Sequence, residues 1–221
     1  MILNKTTFPY TLRMLLCLTA ILLACRVVLF RSHYYDYLVW NIFLASVPII
    51  ISAVMLWLLK KNIQTKALYV FMGIVWLFFF PNAPYIITDL LHLGKIPNSL
   101  IVYDTFLLFS AAWLGLLLGF HSLFQIEGLI QHFYSIRIRN ICLVFILSIT
   151  SLGIYIGRFL RFNSWDTIAN PVSIVSKVAI VLSGPKDSRE FYIFTGITFI
   201  FLLFSYLSWR YDRKSRPEAY L

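Results

Sequence analysis

Two polar segments interrupt a strongly apolar chain, and their residue types suit proton transfer and anion binding. The first is PNAPYIITDLLHL, residues 81–93. On a helix Tyr85, Asp89 and His92 lie at i, i+4 and i+7 and share one face. A carboxylate three residues from an imidazole can do general acid–base work or give two ligands to a divalent metal. The second is GRFLRFNSWD, residues 157–166. Arg158 and Arg161 are again three apart, and two planar, permanently charged guanidiniums suit a phosphate or carboxylate. Asn163, Ser164 and Asp166 make a turn, Trp165 anchors it at an interface, and Asp166 can neutralise one of the arginines. Asp104 adds a carboxylate about one turn inside the apolar run LIVYDTFLL, residues 100–108. A charge at that depth needs a partner, and Arg158 or Arg161 is the expected one. A third segment, RSHYYDY at 31–37, sets His33 three residues before Asp36. Plainer readings stand beside these. The prolines kink a helix and leave Asp89 and His92 to headgroups and water, the arginines snorkel to lipid phosphates, and the tyrosines form an aromatic belt.

The elements that must hold these residues are read from composition. The chain is 60% hydrophobic and 13% charged, with mean hydropathy +0.82. Soluble proteins average about 45–50% apolar and about 25% charged residues. The fold class is therefore all-α, a polytopic membrane helix bundle, because a span needs roughly 20 mostly apolar residues and nothing alternates like a barrel strand. Six spans are expected, over residues 10–30, 37–59, 67–80, 101–124, 141–160 and 191–209, in a single integral membrane domain over 1–221. A shorter apolar stretch at 171–183, with Asn170 as N-cap and Pro171 first in the helix, is too short to cross and reads as interfacial or re-entrant. Pro81 and Pro84 are expected to end the third helix, with Asn82 capping a new start. Two GxxxG pairs, Gly115/Gly119 and Gly153/Gly157, allow close helix approach, and packing within the bundle is preferred over a dimer seam. Asn41, near Trp40 in the second span, reads as an interhelical hydrogen-bonding residue, and His121, His132 and Glu127 as solvated.

Loop charge sets an expected orientation. The N-terminus, the second and fourth loops and the tail hold Lys5, Lys60, Lys61, Lys66, Arg137, Arg139, Arg210, Arg213, Lys214 and Arg216. Basic residues on the other side lie mostly in one long connection, so both termini are placed in the cytoplasm and the three polar segments outside. The net charge of +10 then serves anionic lipid rather than nucleic acid. Cys17, Cys25 and Cys142 fall in apolar runs with no CxxC, which argues against a disulfide or zinc framework. LLAC at 22–25 loosely resembles a lipoprotein box, but Leu23 fits it poorly and Arg26 follows, so a retained first helix is expected.

WNIFLA at 40–45, PNAPYIITDLLHL and GRFLRFNSWD resemble a family of bacterial multi-pass membrane proteins known only as a domain of unknown function. The resemblance runs from about residue 35 to 209, and Ser46 stands where the pattern often has Trp. It marks Asn82, Pro84, Tyr85, Thr88, Asp89, His92, Arg158, Arg161, Asn163, Trp165 and Asp166 as positions the family pattern uses, and implies no activity, substrate or cofactor. No Walker loop, HExxH, GxSxG or dinucleotide fingerprint is present. The expectation is a plasma-membrane protein of the cell envelope, with the bilayer as its first partner. Its outward-facing site would bind an anionic headgroup or lipid-linked substrate. Asp89, His92, Asp104 and Asp166 are the candidates for acid–base or metal-assisted chemistry with a divalent metal. Arg158, Arg161 and Asn163 would hold the anion, and Pro81, Asn82, Pro84, Tyr85 and Trp165 would shape the motif. A transporter or permease subunit and a non-catalytic assembly protein are the alternatives.

Overall fold

The computed structural model describes residues 9–31, 33–63, 65–95, 100–162 and 171–215. Helix α1 is Tyr10–Phe30, α2 Tyr37–Lys60 and α3 Lys66–Phe79. A short α4, Asn82–Tyr85, runs into a 3₁₀ segment, Ile86–Lys95. Then come α5 (Ile101–Phe133), α6 (Ile136–Phe159), α7 (Pro171–Ser183) and α8 (Pro185–Ser215). No strand occurs among the described residues. Six helical stretches are long and apolar enough to cross a membrane: Tyr10–Phe30, Tyr37–Lys60, Lys66–Leu93, Ile101–Phe133, Ile136–Phe159 and Ser188–Arg213. The short helix falls on the predicted stretch 171–183; its expected cap Asn170 lies outside the described residues.

The third span runs longer than expected. Its α-helix ends at the prolines as expected, at Phe79, but winding resumes at once through α4 and the 3₁₀ segment, so the helical stretch extends 28 residues to Leu93. Pro81 itself has helical dihedrals, φ −57° and ψ −26°. Proline lacks the N–H that would bond four residues back, so the ladder is rewired. The Ala83 amide bonds to the Phe80 carbonyl (3.1 Å) and the Tyr85 amide to the Pro81 carbonyl (3.0 Å). The Phe79 carbonyl that Ala83 bypasses accepts the Asn82 side-chain amide at 2.9 Å. Asn82 is thus not a cap for a new helix; its side chain repairs the old one.

The described residues fall into two compact units, one running through α5 to His132 and one from Phe133 onward. In the first, α5 is the most enclosed of the spans, with 61% of its apolar window buried against 17% for α1. Its glycines explain how α4 reaches it. A Cβ on Gly115 would lie 2.5 Å from the Ala83 carbonyl oxygen, and one on Gly119 would lie 3.3 Å from the Ala83 Cβ. The proline-bounded turn rests on this bare strip, which is packing within the bundle as expected of the first GxxxG pair. Farther along α5, Ser122 accepts from the Trp76 indole N–H (2.7 Å) and lies 3.1 Å from the Ser52 hydroxyl, which donates to Gln125 Oε1 (2.7 Å). His121 and Glu127, expected to be solvated, are buried on α5, and His121 Nδ1 donates to the Leu117 carbonyl at 2.8 Å. His132 is exposed.

In the second unit Ser135 caps α6 by accepting from the Ile138 amide. Tyr155 and Phe159 of α6 pack on Phe191 and Phe194 of α8, with centroids 4.8–5.8 Å apart, and α7 lies against α8.

Gly115→Ala is expected to lower the unfolding free energy by about 1–3 kcal/mol, the usual cost of overpacking against groups that cannot retreat. Gly119→Ala should cost less. Gly73→Ala and Gly196→Ala, with nothing within 4 Å of the new methyl, should be neutral or gain up to about 1 kcal/mol from helix propensity. Thermal or denaturant unfolding in detergent checks the order.

Candidate functional site

The site is best built from its deepest charges. Arg26, in the last turns of α1, is 5% exposed, and Asp104, in the first turn of α5, is fully buried. Arg26 Nε donates to Asp104 Oδ1 at 2.7 Å and its Nη2 donates to Oδ2 at 3.2 Å, a two-pronged ion pair. Expectation is corrected here: the partner of Asp104 is Arg26, not Arg158 or Arg161. Both groups sit about one turn in from the same end of neighbouring helices, so a bidentate pair forms without either side chain leaving its span. The signal was present, since Arg26 is the only charge between Arg13 and Arg31 in an apolar helix. A charge at that depth signals pairing or function.

The guanidinium also lies under two rings, 5.5 Å from the Phe30 centroid and 5.7 Å from that of Tyr35. Tyr35, in the connection before α2, is 1% exposed. Its hydroxyl is buried beside the Asp104 carboxylate without strict hydrogen-bond geometry. Burial, and then the negative charge of Asp104, raise the phenol pKa well above its ordinary value. The Tyr35 carbonyl accepts the Leu38 amide at 2.9 Å, so the tyrosine that covers the ion pair also starts α2.

Two residues near that start reach the PNAPYIITDLLHL motif. Asn41 Nδ2 donates to Asp89 Oδ2 at 3.0 Å, the interhelical bond expected of Asn41, with its acceptor now identified. The Tyr37 and His92 rings are 5.6 Å apart. Asp89 is 1% exposed. His92 Nε2 stands 4.0 Å from Asp89 Oδ1, and the imidazole is 26% exposed. At 4.0 Å this is an ion-pair separation rather than a hydrogen bond. The 3₁₀ winding explains the alignment: at three residues per turn Ile86, Asp89 and His92 fall in one row. The same winding corrects the place of Tyr85, which falls instead in the row of Thr88, whose hydroxyl donates to the Tyr85 carbonyl at 2.7 Å. Tyr35 and Tyr37, with centroids 6.1 Å apart, join the two clusters. His33 and Asp36 pair with each other at 3.0 Å but are 73% and 57% exposed.

In the second unit Arg158 is half-buried near the end of α6 and Arg161 is exposed. Arg161 has φ 58°, the left-handed conformation that ends a helix, and the Phe162 amide closes the turn on the Ile156 carbonyl at 3.4 Å. Lys177 Nζ sits 4.6 Å from the Phe162 centroid. Asn163, Trp165 and Asp166 lie outside the described residues. Among the described residues no group of three His, Cys, Asp or Glu side chains is placed to hold a metal; Asp89 and His92 would supply two ligands. The three cysteines are free.

The six apolar spans define a multi-pass membrane protein of the all-α bundle class, with a lipid bilayer as its surroundings. The chain belongs to the family described as "Protein of unknown function (DUF1361)", whose family model matches residues 40–204. No curated protein and no solved structure matches. Asn41, Asp89, His92 and Asp104 fall inside the matched segment, whereas Arg26, Tyr35 and Tyr37 precede it.

Removing one member of a buried pair leaves an uncompensated charge, typically costing about 3–5 kcal/mol. Asp104→Asn should destabilise by that order, and Arg26→Met/Asp104→Leu by much less, as read by denaturant unfolding. Tyr35 gives a pH test. Its folded pKa is raised, so its stabilisation is complete below the ordinary phenol value near 10 and is lost as pH climbs through the folded value. Tyr35→Phe should flatten the fall of the unfolding midpoint above about pH 10.

Proposed function

We propose that this is a cell-envelope membrane protein whose working site is the Asp89–His92 dyad. The dyad binds an anionic headgroup or lipid-linked substrate and exchanges a proton with it. One observation carries the reading. A carboxylate that is 1% exposed, with one oxygen occupied by Asn41, turns its other oxygen toward an imidazole that is one-quarter exposed. Such a carboxylate orients a histidine, and the imidazole is then the group that meets the ligand. A protonated His92 offers an anion a charge-assisted hydrogen bond. The lysine and arginine distribution supports placing this end of the chain outside the plasma membrane and the termini in the cytoplasm.

Arg158 and Arg161, with Asn163 and Asp166, enter the proposal as a second anion contact, supported by the exposure of Arg161. A metal-assisted variant needs a third ligand beyond Asp89 and His92. A transporter reading draws on His121 and Glu127 buried in α5.

The test is native mass spectrometry of the full chain in nanodiscs of mixed phosphatidylglycerol and phosphatidylcholine. The wild type should retain the anionic lipid preferentially. A charge-assisted hydrogen bond is worth about 1.5–3 kcal/mol, so His92→Gln should cut that preference about tenfold or more. Equal retention by wild type and His92→Gln would sink the reading.

A further inference from the structure

We infer that the Arg26–Asp104 ion pair is a positioning device for the Asp89–His92 dyad, acting through Tyr35 and Tyr37. The inference rests on the dyad reading above. Four observations within the first unit carry it. The pair is bidentate and buried, at 2.7 and 3.2 Å. Tyr35, 1% exposed, covers the guanidinium at 5.7 Å and sets its hydroxyl beside Asp104. Its carbonyl takes the Leu38 amide at the first turn of α2, so docking Tyr35 docks the start of that helix. From that start Tyr37 and Asn41, four residues apart and on one face, reach the two members of the dyad. Tyr37 lies against the His92 ring at 5.6 Å and Asn41 holds Asp89 at 3.0 Å.

The physical logic is that a 3₁₀ segment aligns side chains in rows but holds a long run of them only weakly. Its hydrogen-bond geometry is poor, and runs longer than three or four residues are uncommon. Ten residues in that winding, Ile86–Lys95, need lateral support. The start of α2 supplies it, and α2 is itself anchored through Tyr35 to the buried, bidentate Arg26–Asp104 pair. Arg26 and Tyr35, both buried, and Tyr37, half-buried against the His92 ring, are therefore positioning residues that limit where His92 can point.

The experiment is side-chain NMR of the full chain in nanodiscs with ¹⁵N-labelled histidine. The chain has four histidines, and His92→Gln identifies the His92 ring signals. At a pH where the ring is neutral, the Nε2 facing Asp89 should carry the proton in the wild type, giving one dominant tautomer. Asp89→Asn should collapse this to a mixture. The inference expects Tyr37→Leu, Tyr35→Ala and Arg26→Met/Asp104→Leu to do the same while Asp89 is intact. Tyr35→Phe, which keeps the ring over Arg26, should stay nearer the wild type. A His92 pattern that responds to Asp89→Asn but to none of the three variants overturns this inference and leaves the dyad standing. A pattern indifferent to Asp89→Asn overturns both. The double variant replaces the buried pair by apolar groups, and Tyr37→Leu leaves the pair untouched. A response from Tyr37→Leu with an unshifted unfolding midpoint separates positioning from loss of fold.

Discussion

An arginine and an aspartate buried together in an apolar bundle constrain everything around them. Each ion alone costs several kcal/mol to remove from water, and only close, two-point contact offsets that cost. Arg26 and Asp104 meet that requirement, which ties α1 to the start of α5 at one depth and one rotation. Phe30, Tyr35 and the Tyr103 hydroxyl, which donates to the Leu22 carbonyl, close around the same junction. The connection between α1 and α2 is consequently ordered by chemistry rather than by length alone.

The second constraint is steric. Gly115 and Gly119 leave a strip on α5 with no side chains, and the turn Asn82–Tyr85 lies against it closely enough that a methyl at Gly115 would meet a backbone oxygen. The prolines do not stop the third span. They change its hydrogen bonding, first to the patched turn repaired by Asn82 and then to 3₁₀ winding. That change of winding aligns Ile86, Asp89 and His92 in a single row and buries the carboxylate while leaving the imidazole partly open. The motif is a helical stretch rewound at the prolines, and the rewinding delivers the dyad.

The two constraints meet at the start of α2, where Tyr37 and Asn41 touch the dyad and Tyr35 touches the ion pair. The result is a part-open imidazole backed by buried and mutually fixed groups.

Hydropathy and spacing in the sequence determined the class of the protein, its six spans, the short helix at 171–183 and the adjacency of Asp89 to His92. These properties are local or are imposed by the surrounding solvent. Apolar length reports the bilayer, and a three-residue separation brings side chains together on any helix. Only the tertiary structure decided the partners: Arg26 for Asp104, 78 residues away, Asn41 for Asp89, 48 residues away, and Ala83 for Gly115. Such choices depend on the depth and rotation of one helix against another, which a linear pattern does not carry. Asp104 shows the difference, since its need for a cation was legible while several arginines were available. Depth selected Arg26, a buried cation embedded in α1.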